Sequence, residues 1–331
     1  MTMRTAPLLY LSAADVRRAL PMTDAIAAMR EAFAQLSNGQ VTLPARECLQ
    51  TPDEHGVALV MSCHSIALQM FSLKTITVFR DNPQLGLPTI QSLVILTDGT
   101  TGSHLAVIDG ASLTAIRTGA ASGLATDLLA RPDAAVVAVL GAGVQARSQL
   151  EAVCCVRPIR RACVYDAAPA AADRFAAEMT ERLGRPVQRA ASPLEALKDA
   201  DVVCTATTSS DPVFEDSDLK HGAHINAIGS YRPQVSEIPP ATVCRAHIVV
   251  DHFAAALEEA GDLLQPLRQG LIQQSHFATE LGDVVLGRSP GREHADEITL
   301  FKSVGVAIQD LCAAARALEN AGRLEVGMQL P

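Results

Sequence analysis

The sequence predicts an α/β protein in which a doubly wound parallel sheet is joined to a smaller α+β domain. Beyond Pro132, apolar runs without alternation succeed one another as AAVVAVL, RACVY, VVCTA, INAI and IVVD, with helical stretches following the early ones. That texture belongs to parallel strands covered on both faces. Between Gly56 and Asp109 the runs GVALVM, FSLKTITVF, QSLVILTD and HLAVID are separated by short turns such as Asp81-Asn82-Pro83 and Asp98-Gly99-Thr100-Thr101-Gly102. Short connections favour antiparallel pairing. A chain of 331 residues is also about two domains' worth, since single cores stop growing near ~250–300 residues.

Taken in order, Ser12 with Asp15 three positions on forms a helix start, and Ile26, Met29, Phe33 and Leu36 repeat at helical spacing until Asn38-Gly39 stops the run. After the antiparallel runs, a helix rich in small residues (Gly119, Ala120, Ala121, Gly123) extends from Ser112 to Ala130, and Pro132-Asp133 ends it. The alternating strands and helices follow. A last amphipathic helix, from about Ser303 to Ala321, is expected to return to the first domain. The expected division is 1–118 plus 313–331 for one domain and 119–312 for the other.

Composition narrows the function. With 48% hydrophobic and 19% charged residues the chain is an ordinary globular one, and a net charge of -9 disfavours non-specific nucleic-acid binding. No run reaches the ~18 apolar residues of a membrane span, and the N-terminus lacks the basic-then-apolar pattern of a signal peptide. A soluble, cytoplasmic protein with no membrane or nucleic-acid partner is expected. The eight cysteines include no C-x-x-C, so reduced, buried thiols are predicted rather than a disulfide scaffold, and no metal site is expected.

The turn after AAVVAVL reads Gly141-Ala142-Gly143-Val144-Gln145-Ala146. A lone G-x-G-x-x-G/A is weak evidence, but here it follows an apolar strand and opens a helix, the context of a Rossmann-type dinucleotide site. Gly141 allows the tight turn, Gly143 lets a pyrophosphate approach the backbone, and Ala146 lets helix and strand pack closely. The next strand ends at Asp166, about 25 positions after Gly141, where an acid accepts hydrogen bonds from the adenosine ribose and repels a 2′-phosphate. NAD(H) is favoured; the alternative is NADP(H), with Asp166 merely capping a turn and Arg174 or Arg161 accommodating the phosphate.

Only four lysines occur, at 74, 198, 220 and 302, and Lys74 lies inside an apolar strand. Burying an ammonium there costs several kcal/mol unless an anion compensates, which makes Lys74 a candidate ligand for an anionic substrate. Arg46 and Arg117 are candidates to share its surroundings, and three converging cations would hold a carboxylate. The alternative for each is a structural salt bridge with Glu47, Asp109 or a neighbour.

The blocks LTAIRTGAASGLAT (113–126), GAGVQAR (141–147), DVVCTATTSSDPVF (201–214), HGAHINAIGS (221–230) and EITLFKSVGVAIQDL (297–311) together resemble the ornithine cyclodeaminase/mu-crystallin family, in the family's order and over nearly the whole chain. The resemblance implies a homodimer whose first domain, joined by the C-terminal helix, makes the subunit interface and substrate pocket. It places substrate-carboxylate contacts at Arg46, Lys74 and Arg117. Cofactor contacts fall at Gly141, Ala142, Gly143, Val144, Gln145 and Asp166, and at the strand ends Thr205-Ala206-Thr207 and Ile228-Gly229-Ser230.

Cyclodeaminases of this family carry an aspartate where this chain has Tyr231, and an acid where it has Leu59. A tyrosine with pKa near ~10 is not an ionised base at neutral pH. The segment 77–96 and Gly229-Ser230-Tyr231-Arg232-Pro233 look like the imine-reducing branch, which includes 1-pyrroline-2-carboxylate reductases. The expected reaction is reduction of 1-pyrroline-2-carboxylate, extending to 1-piperideine-2-carboxylate, to L-proline or L-pipecolate. Catalytic work would rest on Lys74 and Arg117, with Lys74 or an ordered water supplying a proton. Tyr231 and Ser303 are candidate pocket residues, or else ordinary loop and helix-cap residues. The rival readings are an ornithine or lysine cyclodeaminase, an alanine- or opine-type dehydrogenase, and a non-catalytic cofactor binder.

Overall fold

The computed structural model describes residues 8–52 and 55–330. The reading of the extreme N-terminus thus rests partly on residues outside those described. The chain divides into two units, Met1–Arg117 with Ala307–Pro331, and Thr118–Val306.

The first unit contains β1 (Leu8–Leu11), α1 (Ala13–Ala19), α2 (Met22–Ser37), β2 (Val41–Thr42), β3 (Glu47–Gln50), β4 (Gly56–Ser65), β5 (Met70–Phe79), β6 (Ile90–Asp98) and β7 (His104–Asp109), and the start of α3 (Gly110–Leu129). Ser12 caps α1 in a reciprocal capping box with Asp15. The second unit, from Thr118, carries β8 (Val136–Leu140), α4 (Val144–Val156), β9 (Arg161–Tyr165), α5 (Pro169–Leu183), β10 (Val187–Arg189), α6 (Pro193–Leu197), β11 (Val202–Thr205), β12 (His224–Ala227) and α7 (Pro240–Arg245). It continues through β13 (His247–Val250), α8 (Phe253–Glu259), α9 (Gly261–Arg268), β14 (Thr279–Glu280), α10 (Leu281–Val285) and β15 (Thr299–Lys302), after which α11 (Ala307–Leu324) and β16 (Met328–Leu330) belong to the first unit.

The first sheet has the order β16-β1-β7-β6-β5-β4-β2, with β3 also on β4. Its β4–β7 run is an antiparallel meander, as short turns require, whereas β1 lies parallel to β7. Alternation along β5 turns Ser72 and Lys74 inward and leaves Phe71, Leu73 and Thr75 exposed. Helix α11 packs on β4, β5, β6 and α2. The expected boundary at 312/313 would cut this continuous helix; the division falls at 306/307 instead. The helix starts at Ala307 rather than Ser303 because the N–H groups of Val304 and Gly305 donate to Asp251, and Gly305 takes a φ of 82°.

The second sheet is parallel throughout, in the order β10-β9-β8-β11-β12-β15-β13-β14. The order of strand addition reverses between β8 and β11, with β9 and β10 on one side and β11 and β12 on the other, the switch point at which ligands bind such sheets, at the strands' carboxyl ends. The small residues of α3 have a steric reason: a side chain at Gly119 would come within 2.5 Å of the Ser148 carbonyl on α4. Of the cysteines, Cys63, Cys163, Cys204 and Cys312 are buried, but Cys48, Cys155 and Cys244 are exposed, which corrects the expectation that all are core thiols. Among the described residues no helix is long and apolar enough to cross a membrane.

Candidate active site

In the first unit Lys74 sits mid-strand between Met61 on β4 and Val94 on β6, and it is 1% exposed. An ammonium in such apolar company needs an anion. Asp310, in the first turn of α11, supplies it: Lys74 Nζ donates to Asp310 Oδ1 at 2.9 Å, and Arg117 Nε donates to the same oxygen at 3.0 Å. Arg117 Nη1 also donates to Gln309 Oε1 at 2.8 Å. Burial raises the Asp310 carboxyl, but Arg117 and then Lys74 outweigh it and hold the group below the usual carboxylate range. Burial pulls the Lys74 ammonium down to about 8 against the opposing attraction of Asp310, and the charges of Arg117 and Arg46 depress it further. Arg46 lies half-buried just ahead of β3. Lys74, Arg117 and Asp310 sum to one net positive charge, so the partner of Lys74 and Arg117 is an α11 aspartate and not Glu47 or Asp109.

The second unit carries the glycine turn at the end of β8. Gly141 adopts φ 100°, and a side chain there would meet the Ala206 carbonyl at 2.5 Å. Gly143 begins α4 with no side-chain cap, and a carbon added to it would meet nothing within 4 Å. Free N–H groups at a helix N-terminus, facing open space, suit a pyrophosphate. Arg147 donates to the carbonyls of Ala142 and Gly143 and so fixes the turn. At the end of β9, Asp166 accepts from the N–H of Ala142 at 2.8 Å and of Ala168 at 2.8 Å, which orients its carboxylate beside the turn. Val144 is exposed and Gln145 half-buried. These residues fit a dinucleotide.

At the strand-end positions the side-chain hydroxyls are engaged within the protein. Thr205 is buried and its hydroxyl donates to Glu237 Oε2 at 2.9 Å; Thr207 donates to Glu237 Oε1 through both N–H and hydroxyl at 2.7 Å. Ser230 is buried and donates to the Val235 carbonyl at 2.7 Å. The hydroxyls of Thr205 and Ser230 are therefore turned into the protein, and what these segments present is backbone, with half-buried Ala206 and Gly229 and buried Ile228. Ser303, expected in the pocket or as a helix cap, donates its hydroxyl to Asp251 Oδ2 at 2.7 Å. Tyr231 is 45% exposed beside the Arg232 guanidinium. Among the described residues no cluster could hold a metal ion. His224, between two strands, hydrogen-bonds Thr299 and Asn226, and burial with the nearby Arg292 lowers its pKa to about 3.

The profile of the ornithine cyclodeaminase/mu-crystallin family matches residues 8–323. The chain belongs to this family. It is 39% identical over 324 residues to a Delta(1)-pyrroline-2-carboxylate reductase of Bacillus cereus, covering 98% of this chain and 99% of that one. Among solved structures, the Delta(1)-pyrroline-2-carboxylate reductase of Thermococcus litoralis, in complex with NADH and L-proline, superposes with a TM-score of 0.93 at 38% identity, covering 98% of this chain and all of that one. An archaeal alanine dehydrogenase dimer with bound NAD gives a TM-score of 0.91 at 34% identity, with 98% and 99% covered. Asp310 and Glu237 were missed from sequence because each acts through a long-range contact; Asp310 lies within the EITLFKSVGVAIQDL block that carried the family resemblance, where its charge inside an apolar helix face was the available signal.

Proposed function

We propose that this protein is a ketimine reductase that converts Δ1-pyrroline-2-carboxylate, and its six-membered homologue 1-piperideine-2-carboxylate, to L-proline and L-pipecolate with NADH. The observation that carries this reading is the buried Lys74–Arg117 pair, which one aspartate leaves with net positive charge, in a chain 39% identical to a reductase of that name. When bound, NADH supplies the hydride. The residues of this chain do the rest. Lys74 gives one of its three N–H donors to Asp310, so two remain for a substrate carboxylate, and the Arg117 and Arg46 guanidiniums add planar donors suited to the same group. Holding the acid fixes the ring and its C=N bond, and orientation of this kind contributes several kcal/mol.

Reduction adds a hydride to the imine carbon and a proton to the ring nitrogen. A Lys74 pKa of about 8 lets its Nζ hold or donate that proton near neutral pH. Asp166 accepts from the adenosine ribose and its charge disfavours a 2′-phosphate, which supports NADH over NADPH. Tyr231, which is exposed, stands where cyclodeaminases of the family carry an aspartate, so that carboxylate is replaced in this chain. The 34% identity to an archaeal alanine dehydrogenase favours a second reading, reductive amination of pyruvate.

We further propose that the protein acts as a homodimer formed through the open face of the first sheet. Phe71, Leu73 and Leu93 are exposed there at 43%, 38% and 46%, in adjacent strands opposite the α11 side. Exposed apolar side chains on one sheet face support such an interface. Stoichiometric loss of NADH on adding chemically prepared Δ1-pyrroline-2-carboxylate, with proline as product, tests the reaction.

A further inference from the structure

Two loops leave the carboxyl ends of neighbouring parallel strands, one from Ala206 after β11 and one from Ile228 after β12. The ladder between these strands ends at the pair Thr205 and Ala227, with one more bond from Ile228 N–H to the Thr205 carbonyl. Beyond that point the two backbones have no ladder to hold their spacing. Glu237 takes over. Its Oε1 accepts from the Thr207 N–H and hydroxyl, both at 2.7 Å, and its Oε2 accepts from the Gly229 N–H at 2.8 Å and the Thr205 hydroxyl at 2.9 Å. One carboxylate thus satisfies a backbone donor from each loop. Its fit against the second loop is tight: a side-chain carbon at Gly229 would lie 2.5 Å from either Glu237 oxygen, so glycine stands there for the carboxylate's sake.

The brace is itself anchored. Glu237 N–H donates to Asp262 Oδ1 at 2.6 Å, which also accepts from the Ile238 N–H and the Ser236 hydroxyl at 3.0 Å. Asp262 Oδ2 pairs with Lys302 Nζ at 2.6 Å, and Lys302 donates to the Ser230 carbonyl on the second loop. Glu237, Asp262 and Lys302 are all wholly buried. Burying three ionisable groups together is costly.

We propose that Glu237 is a positioning residue for the nicotinamide half of the cofactor. In a doubly wound sheet each half binds one mononucleotide; the glycine turn and Asp166 belong to the β8–β9 half, and the two braced loops to the β11–β12 half. The proposal rests on the dinucleotide reading above. It assigns to Glu237, anchored by Asp262 and Lys302, the spacing between backbone segments on which the second mononucleotide lies.

Calorimetric titration of the full-length chain with NADH and with ADP, which carries only the adenosine and pyrophosphate part, tests it. Glu237→Gln keeps the shape but must turn an amide N–H₂ toward the N–H of Thr207 or Gly229, donor against donor. Its Kd for NADH should rise about tenfold or more while that for ADP stays within about twofold, and Glu237→Asp, which keeps the charge, should recover part of the loss. Should Glu237→Gln not fold, Gly229→Ala, which pushes a methyl against the carboxylate, should give the same split. Equal NADH affinity in variant and wild type, or parallel loss of NADH and ADP, would overturn the proposal. Wild-type protein that binds neither ligand would instead overturn the dinucleotide reading, and this proposal with it.

Discussion

Lys74 Nζ lies 2.9 Å from Asp310 Oδ1 although 236 positions separate the two residues, and both are essentially without solvent contact. Arg117 Nε takes the same oxygen at 3.0 Å, and among the described residues Asp310 Oδ2 has no hydrogen-bond partner. A single aspartate on the returning C-terminal helix therefore permits two cations to be buried in the first unit, and leaves them one charge in excess.

Removing that aspartate strands both cations. Asp310→Asn should cost about 3–5 kcal/mol, the usual penalty for breaking a buried pair from one side. Urea unfolding followed by circular dichroism should show the earlier midpoint; an unchanged midpoint would mean that the ion pair contributes nothing to the fold.

The pH dependence follows from Lys74. Burial, partly opposed by Asp310, brings its ammonium down to about 8. Below that pH the side chain is charged and grips a carboxylate; above it the charge is lost. Hence kcat/KM for the imino acid should fall as pH rises through about 8, while NADH affinity stays flat. In Lys74→Arg, whose guanidinium remains protonated, this alkaline limb should disappear. Steady-state rates across pH 6–10 (roughly spanning this range) check both.

Arg117→Ala should lower kcat/KM for the imino acid by about 10²-fold or more, about 2.7 kcal/mol of transition-state stabilisation. NADH affinity should remain within about twofold, because among the described residues the Arg117 side chain donates to Asp310 and Gln309, both in the first unit. Equal losses of substrate use and cofactor binding would make the residue merely structural.

Phe71→Asp places a charge on the open face of the first sheet, where Phe71 stacks on His64 with ring centroids 4.4 Å apart. Sedimentation velocity should show a shift from dimer to monomer. A variant that sediments as the wild type does would place the subunit contact elsewhere.

Periodicity made the meander, the glycine turn and the alternating strands legible, since each is written in local sequence. The strands β1, β15 and β16 were not, being short and recruited by distant partners: β15 fits between β12 and β13, far from either in the chain. The site shows the same division. Lys74 stood out because a lysine inside an apolar strand violates the burial rule, and Asp166 because its spacing from Gly141 is a local signature. Asp310 and Glu237 looked like ordinary helix and loop acids until the fold brought them to Lys74 and to Thr207. Ser230, read as part of a cofactor segment, and Ser303, read as a pocket or helix-cap residue, give their hydroxyls to the Val235 carbonyl and to Asp251, partners that local sequence does not disclose.

The most direct test mixes purified protein with NADH and, separately, Δ1-pyrroline-2-carboxylate, pyruvate with ammonia, or ornithine, following NADH absorbance together with proline and ammonia. The account predicts one NADH consumed per proline formed from the cyclic imine, at a kcat/KM well above that for pyruvate. Conversion of ornithine to proline with ammonia release and no net change in cofactor would contradict it.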